Sequence, residues 1–140
     1  MANPGPATTV TTNYPLTTNQ NAQGTLVLKG LSVSTAGDTA ITVPNMFNGS
    51  IVPISVITTN ANVTMATATV GIYTAPAQGG TAILTTAALT GQTTNAFAYV
   101  RAATAAAAQV AIAGNTLYAN VGTTVAGGTV DLYLTYINVS

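Results

Sequence analysis

Hydrophobic and polar residues alternate in short stretches along most of this chain. The clearest stretch runs from Thr129 to Ser140, where Val130, Leu132, Leu134 and Tyr136 occupy every second position. A period of two residues is that of a β-strand, whose successive side chains point to opposite faces. This stretch therefore predicts a strand with one side in the core.

The opposite side of this last strand is also substantially apolar. There, Tyr133, Ile137 and Val139 alternate with Asp131 and Thr135. A strand that is apolar on both sides is typically covered on both sides. We therefore expect one side in the core and the other at a subunit contact, with Tyr133, Ile137 and Val139 as candidate interface residues.

Further strands are predicted between glycine, proline and asparagine turn signals. The turn signals include Asn48-Gly49 and Gly127-Gly128, and Gly30 predicts a bulge inside the first strand. In the stretch from 51 to 59, Val52, Ile54 and Val56 are placed on one face, and Pro53 predicts an edge strand or a bulge. The strand candidates are residues 24–34, 38–43, 51–59, 67–74, 81–85, 96–101, 116–122 and 129–140.

About eight short strands with this turn spacing predict an all-β fold, a β-sandwich or barrel. A jelly roll of two packed sheets is the favoured architecture. The alanine-rich segment from Ala102 to Ala113 is ambiguous. Alanine favours a short helix there, while a loop or a tightly packed strand are the alternatives.

The N-terminal region differs from the rest in composition. Residues 1–23 are polar, contain three prolines and have almost no aliphatic residues. Such a terminus is either a disordered tail or an arm that is held by a contact. We expect an extended N-terminal arm that lies against a neighbouring subunit through Tyr14 and Leu16, followed by a β-sandwich domain over residues 24–140.

Charge is nearly absent from the chain. Among 140 residues only Lys29, Asp38, Arg101 and Asp131 are charged, which is 3% and gives a formal net charge of zero. Ordinary soluble domains contain about 25% charged residues. A neutral surface offers no repulsion between copies, so the composition favours a protein that packs permanently against other subunits.

The same composition argues against catalysis. The chain has no His, Cys or Glu, so acid–base pairs, nucleophile–histidine systems and clustered metal ligands have almost no residues from which to form. We expect no enzyme activity, no metal and no cofactor. Asp38 is expected to serve a turn, and Asp131 to pair with Arg101 or Lys29 across a sheet.

Two classes of partner are also disfavoured. Binding to nucleic acid depends on many phosphate contacts from Lys and Arg, and two cations are too few. A membrane helix needs about 20 apolar residues, and no run approaches that length. The N-terminal stretch lacks the regions of a signal peptide, so we expect a protein that is made intracellularly.

The tyrosines admit two interpretations. Tyr73, Tyr99, Tyr118, Tyr133 and Tyr136 all fall in strand candidates. Packing in the core or at an interface is the favoured role, because a tyrosine ring is apolar and its hydroxyl tolerates water. The alternative is a sugar-binding patch in which the rings stack on a glycan.

Several segments resemble small β-rich virion proteins of tailed bacteriophages. They are DTAITVP from Asp38, VITTNANV from Val56, TATVGIYTAPAQGGTAIL from Thr67, NTLYANVGT from Asn115 and GGTVDLYLTYI from Gly127. The element GIYTAPAQGGTAI is the most specific of them, and the resemblance covers roughly residues 36–137.

The resemblance implies a structural role in a virion, most simply that of a capsid decoration or cement protein. Such a protein forms a trimer or another homo-oligomer and clamps the major capsid protein, so its partners are that protein and copies of itself. The alternatives are another virion component (a head fibre, a tail protein or a small jelly-roll capsid subunit) and a carbohydrate-binding or adhesive β module.

Overall fold

The computed structural model describes residues 23–43, 50–94, 99–102 and 110–139. This part of the chain forms nine β-strands and a single turn of 3₁₀ helix at Ala113–Asn115. The strands are β1 Gln23–Ser32, β2 Gly37–Thr42, β3 Ser50–Thr59, β4 Thr69–Ala75, β5 Gly79–Ala88, β6 Tyr99–Ala102, β7 Val110–Ala111, β8 Thr116–Val121 and β9 Thr129–Val139.

The strands form two antiparallel sheets. The five-stranded sheet has the order β1-β9-β3-β6, with the short β7 also paired to β3, and the four-stranded sheet has the order β2-β8-β4-β5. Strand pairing is nested, because β1 pairs with β9, β2 with β8, β3 with β6 and β4 with β5. Successive pairs alternate between the sheets, which is the strand order of a jelly roll. The predicted all-β sandwich is thus confirmed.

The core lies between the two sheets and is built by alternation along each strand. In β9 the four residues from Val130 to Tyr136 that were assigned to one face are all buried. In β8, Leu117, Ala119 and Val121 face inward as their spacing predicts. Covering a side chain such as Leu132 contributes about 1.5–3 kcal/mol, so the alternating positions account for the closure of the sandwich.

Strand β3 departs from the predicted alternation. Ile51, Pro53 and Val56 are buried, whereas Ile54 is exposed, because the register against β9 shifts between Pro53 and Ser55. Proline has no N–H to donate to the ladder, and a bulge accommodates it. The predicted bulge is therefore confirmed, while placing Ile54 and Val56 on one face is wrong. The edge-strand alternative is also wrong, since β3 lies between β9 and β6.

The expected short helix within Ala102–Ala113 is not found at the two described ends of that segment, and its middle is not described. Ala102 ends β6, and Val110–Ala111 is a strand paired with Ser50 and Ile51. Val110 is buried in the core, and a β-branched residue suits this strand position. Residues 103–109 and the Asn48-Gly49 turn signal lie outside the described residues. Within the described part of the chain, no helix is long and apolar enough to cross a bilayer.

Candidate interaction surface

The outer side of the five-stranded sheet carries a group of large apolar residues. Cross-strand register aligns them in rows: Val27 of β1 and Ile57 of β3 both lie opposite Tyr133 of β9, and Val52 lies opposite Ile137. We call this surface the apolar face. Its members are Val27, Val52, Ile54, Ile57, Tyr133 and Ile137.

Exposure on the apolar face is unusually high for residues of this type. Val27 is 44% exposed, Ile54 43% and Ile137 39%, and these are the large hydrophobic residues that remain exposed among those the structure describes. Isolated apolar residues on a surface are ordinary, whereas a contiguous group indicates a contact surface. All three lie on the same side of one sheet, so the apolar face is the candidate site.

A neutral polar row separates two apolar rows on this face. Thr25 of β1 and Ser55 of β3 both lie opposite Thr135. The flanking apolar rows are those of Tyr133 and Ile137, which are four positions apart in β9. None of these rows contains a charged residue. Asp131, opposite Thr59, marks the charged end of the surface. A partner that covers the rows thus buries no charge, which avoids the large desolvation cost of an unpaired ion.

Of the five predicted interface residues, two lie on the apolar face and three have side chains outside the described residues. Tyr133 is half-buried and Ile137 exposed, and both belong to the apolar face. Val139 ends β9, but its side chain lies outside the described residues, as do Tyr14 and Leu16. The sequence reasoning missed Val27 and Ile54. Alternation with the buried Leu26 was the available signal for Val27, and Ile54 became visible only with the β3 bulge.

Asp131 holds two backbone irregularities beside the apolar face. Its Oδ1 accepts a hydrogen bond from the Gly30 N–H at 2.8 Å, and its Oδ2 accepts one from Asn60 Nδ2 at 2.8 Å. Gly30 lies in the β1 bulge, and both Gly30 and Asn60 have positive φ. These two N–H groups are the hydrogen-bond donors to Asp131 in the described part of the chain, and the side chain of Arg101, one of its two expected ion-pair partners, lies outside the described residues.

The electrostatics of Asp131 follow from the same contacts. The hydrogen bond from Asn60 holds the pKa of this carboxyl below its usual value, with further contributions from the Gly30 N–H and the charge of Lys29, against a smaller opposing effect of burial. Hydrogen bonds to the ionised form favour that form. These contacts favour the ionised form of Asp131 and tie its carboxylate to the turns at Gly30 and Asn60.

Asp38 plays a matching role on the outer side of the other sheet. Its Oδ2 accepts a hydrogen bond from the Ala77 N–H at 2.6 Å, and its Oδ1 accepts one from Asn120 Nδ2 at 2.8 Å. Asn120 Oδ1 in turn accepts a hydrogen bond from Gln78 Nε2 at 3.0 Å. Asp38 thus serves a turn, as expected, but the turn is the β4–β5 connection and not its own. The two aspartates lie on opposite sheets and form no pair.

The tyrosines do not come together in one patch among the described side chains. Tyr73 and Tyr118 are opposite each other in the four-stranded sheet, Tyr136 is in the core and Tyr133 is on the apolar face. Tyr73 is only 7% exposed, and its hydroxyl lies 2.9 Å from Thr86 Oγ1. These positions fit the packing role that the sequence favours.

Comparisons with known proteins add no relative to this description. No protein-family model matches the chain, and comparisons with curated proteins and with solved structures return no match either.

Proposed function

We propose that this protein is a structural component of a virion, and specifically a decoration or cement protein of a phage capsid. The observation that carries the proposal is the apolar face, an uncharged and exposed surface on a rigid sandwich. The near absence of charge supports it as well, since a neutral chain suits permanent packing and not life as a dilute monomer. In the assembled particle the apolar face is covered.

The strength of such a contact comes from apolar burial. Val27, Ile54 and Ile137 are each about two-fifths exposed, so covering each contributes about 1 kcal/mol, a fraction of the 1.5–3 kcal/mol of a complete side chain. Repeated over many copies on a shell, these contributions hold the particle together. Salt screens charges and not apolar contacts, so the attachment depends little on ionic strength.

A binding experiment on expanded heads that lack the protein tests this proposal. We expect saturable binding, with the same occupancy at about 0.05 M and 0.5 M salt, where a charge-based contact weakens by screening. The triple variant Val27→Thr, Ile54→Thr and Ile137→Thr keeps the β-branched shape and should raise the dissociation constant for the heads at least tenfold, since about 1.4 kcal/mol of lost contact suffices for that. At a protein concentration near the dissociation constant of the wild type, its occupancy should therefore fall clearly below that of the wild type.

The matched control is Ala40→Ser, an exposed position on the outer side of the four-stranded sheet. It adds a hydroxyl far from the apolar face and should leave occupancy unchanged. Release of the wild-type protein by moderate salt, or equal occupancy of the triple variant and the control, contradicts the proposal.

The strand order favours one second candidate, a small shell subunit. Jelly rolls of two four-stranded sheets are also the domains of viral shells, and this chain has that order. The two functions differ in self-assembly. A shell subunit forms closed particles from purified protein alone, whereas a decoration protein stops at small oligomers until a shell is added.

A further inference from the structure

The N-terminal segment joins the sandwich at the apolar face. β1 pairs with β9 in continuous register from Leu28 to Gln23, and Gln23 lies opposite Ile137. Residues 1–22 are therefore connected at the end of the sheet where the row of Val52 and Ile137 lies.

We propose that the apolar face is covered by the N-terminal segment of a second copy of this chain, through Val10, Tyr14 and Leu16. This inference rests on the proposed function for its setting, a permanent assembly: copies joined through the apolar face attach to a shell as one multivalent unit, so loss of the contact between copies also weakens attachment. The segment has no charged side chain, which matches the uncharged rows of the apolar face. Covering the apolar face with this segment therefore buries no charged side chain.

The spacing of the apolar residues in the segment matches the spacing of the rows. Val10, Tyr14 and Leu16 all occupy even positions, so an extended chain presents them on one side. Val10 and Tyr14 are four residues apart, as are Tyr133 and Ile137 in β9. At about 3.3 Å per residue both separations are about 13 Å, so one extended segment reaches both apolar rows across the neutral polar row.

The direction of β1 favours a second copy over the segment's own sheet. The ladder with β9 continues to Gln23, so β1 begins at the end of the sheet and residue 22 is joined to it there. Leu16 is seven residues ahead of Gln23, so an extended connection places it up to about 23 Å past that end. That distance reaches a neighbouring sandwich, whereas covering its own apolar face requires a complete reversal within residues 17–22.

The oligomeric state of the full chain gives the first test, by sedimentation or light scattering. We expect the wild type to be a stable oligomer in the absence of any shell. The double variant Tyr14→Ser and Leu16→Ser and the face variant Val27→Thr and Ile54→Thr should each raise the dissociation constant at least tenfold. Thr12→Ser in the same segment and Ala40→Ser are the controls, and circular dichroism verifies that every variant is folded.

Cross-linking between copies gives the second test, and the chain has no native cysteine to interfere. Protein carrying Tyr14→Cys is mixed with protein carrying Val27→Cys and treated with a short bismaleimide. The expected product is a covalent heterodimer, formed far more than in a mixture of Tyr14→Cys with Ala40→Cys. A monomeric wild type overturns the inference, and so do equal yields in the two mixtures. A chain that carries both Tyr14→Cys and Val27→Cys is the further control: a cross-link that forms only within this chain, and not between copies, also overturns the inference.

The two proposals fail separately in these experiments. A monomeric protein that still binds shells retains the decoration function and loses the exchanged segment. An oligomer that gives the cross-link but does not bind shells retains the exchanged segment and loses the decoration function.

Discussion

At the scale of single residues, the polar side chains that matter most hold turns. Asp38 fixes the β4–β5 turn, where Ala77 and Gln78 have positive φ. Asn62 connects two loops, since its Nδ2 donates to the Gly127 carbonyl and its Oδ1 accepts from the Thr129 N–H, both at 2.8 Å. Left-handed backbone costs free energy outside glycine, and the hydrogen bond from the Ala77 N–H to Asp38 offsets that cost in the β4–β5 turn.

Removing the Asp38 carboxylate should destabilise the fold. Asp38→Ala deprives the Ala77 N–H of its acceptor and leaves Nδ2 of Asn120, a residue only 7% exposed, without the acceptor it has now. We expect the free energy of unfolding to fall by about 1–3 kcal/mol, the cost of an unsatisfied buried donor, as measured by urea denaturation. Thr42→Ala, at an exposed position of the same strand, should change it by less than about 0.5 kcal/mol. Equal effects of the two variants contradict this account.

The Asp131 carboxylate should make stability depend on pH. Because its folded-state pKa is lowered, chiefly by Asn60, the ionised form stabilises the fold above the ordinary aspartate pKa of about 4, and this contribution is lost as pH falls through the folded pKa. The stability difference between wild type and Asp131→Asn should therefore be constant from about pH 7 to 5 and shrink below about pH 4.

Thermal unfolding of the wild type and of a second variant checks the cause. Asn60→Gly removes the amide donor and keeps a residue that accepts positive φ. Between pH 5 and pH 3 the melting temperature of this variant should fall by less than that of the wild type, and the difference should be a few degrees. A difference between wild type and Asp131→Asn that is the same at pH 3 and pH 7 is incompatible with this role.

At the scale of elements, bulges decide which residues reach the surface. The β1 bulge lies between Leu28 and Leu31, and the β3 bulge between Pro53 and Ser55. A one-residue shift of register exchanges the two faces of a strand. The β3 bulge thus turns Ile54 outward to the apolar face and returns Val56 to the core.

Two substitutions in β3 test whether the bulge, and not simple alternation, decides which side chains are buried. Val56→Thr places a hydroxyl at a position that is 1% exposed and should lower the free energy of unfolding by about 1–3 kcal/mol. Ile54→Thr, on the exposed side, should change it by less than about 0.5 kcal/mol. Urea denaturation measures both in the Tyr14→Ser and Leu16→Ser background, at a protein concentration at which that background is monomeric by light scattering. A large loss for Ile54→Thr, comparable to that for Val56→Thr, contradicts the bulge.

At the scale of the whole molecule, nested pairing joins the two ends of the sandwich. β1 and β9 are adjacent, although about 100 residues of chain lie between Leu28 and its partner Leu132. Of the four nested pairs, β4 with β5 is the one formed by a tight turn. With this nested pairing, the inner sides of both sheets form the core, and the outer side of the five-stranded sheet is left for contacts.

This topology should fold slowly. Pairings between distant segments require loop closure before they contribute stability, and β-sandwiches of this kind fold in about milliseconds to seconds. Stopped-flow refolding should therefore show its main phase in that range. Slower minor phases of about 10–100 s belong to isomerisation at the prolines. A main phase complete within about 100 μs contradicts the nested order.

The sequence by itself determined the fold class and much of the core. Alternation in β8 and β9 identified the buried residues correctly, because a strand has only two sides and the apolar side must be covered. Pro53 and Gly30 marked both bulges, since one lacks a donor and the other adopts positive φ. Composition also established how few ionisable groups the surface carries.

The tertiary structure decided what depends on contacts between distant residues. It assigned the aspartates to Ala77 and Asn60, made Val110–Ala111 a strand against β3, and aligned Val27 with Tyr133 across β1 and β9. The alternation of residues within one strand does not determine which residues of two strands lie opposite each other. That register is what brings these residues together. The alternation predicted that the last strand has two apolar sides, and only the neighbouring strands show that its outer side belongs to an apolar face shared by three strands.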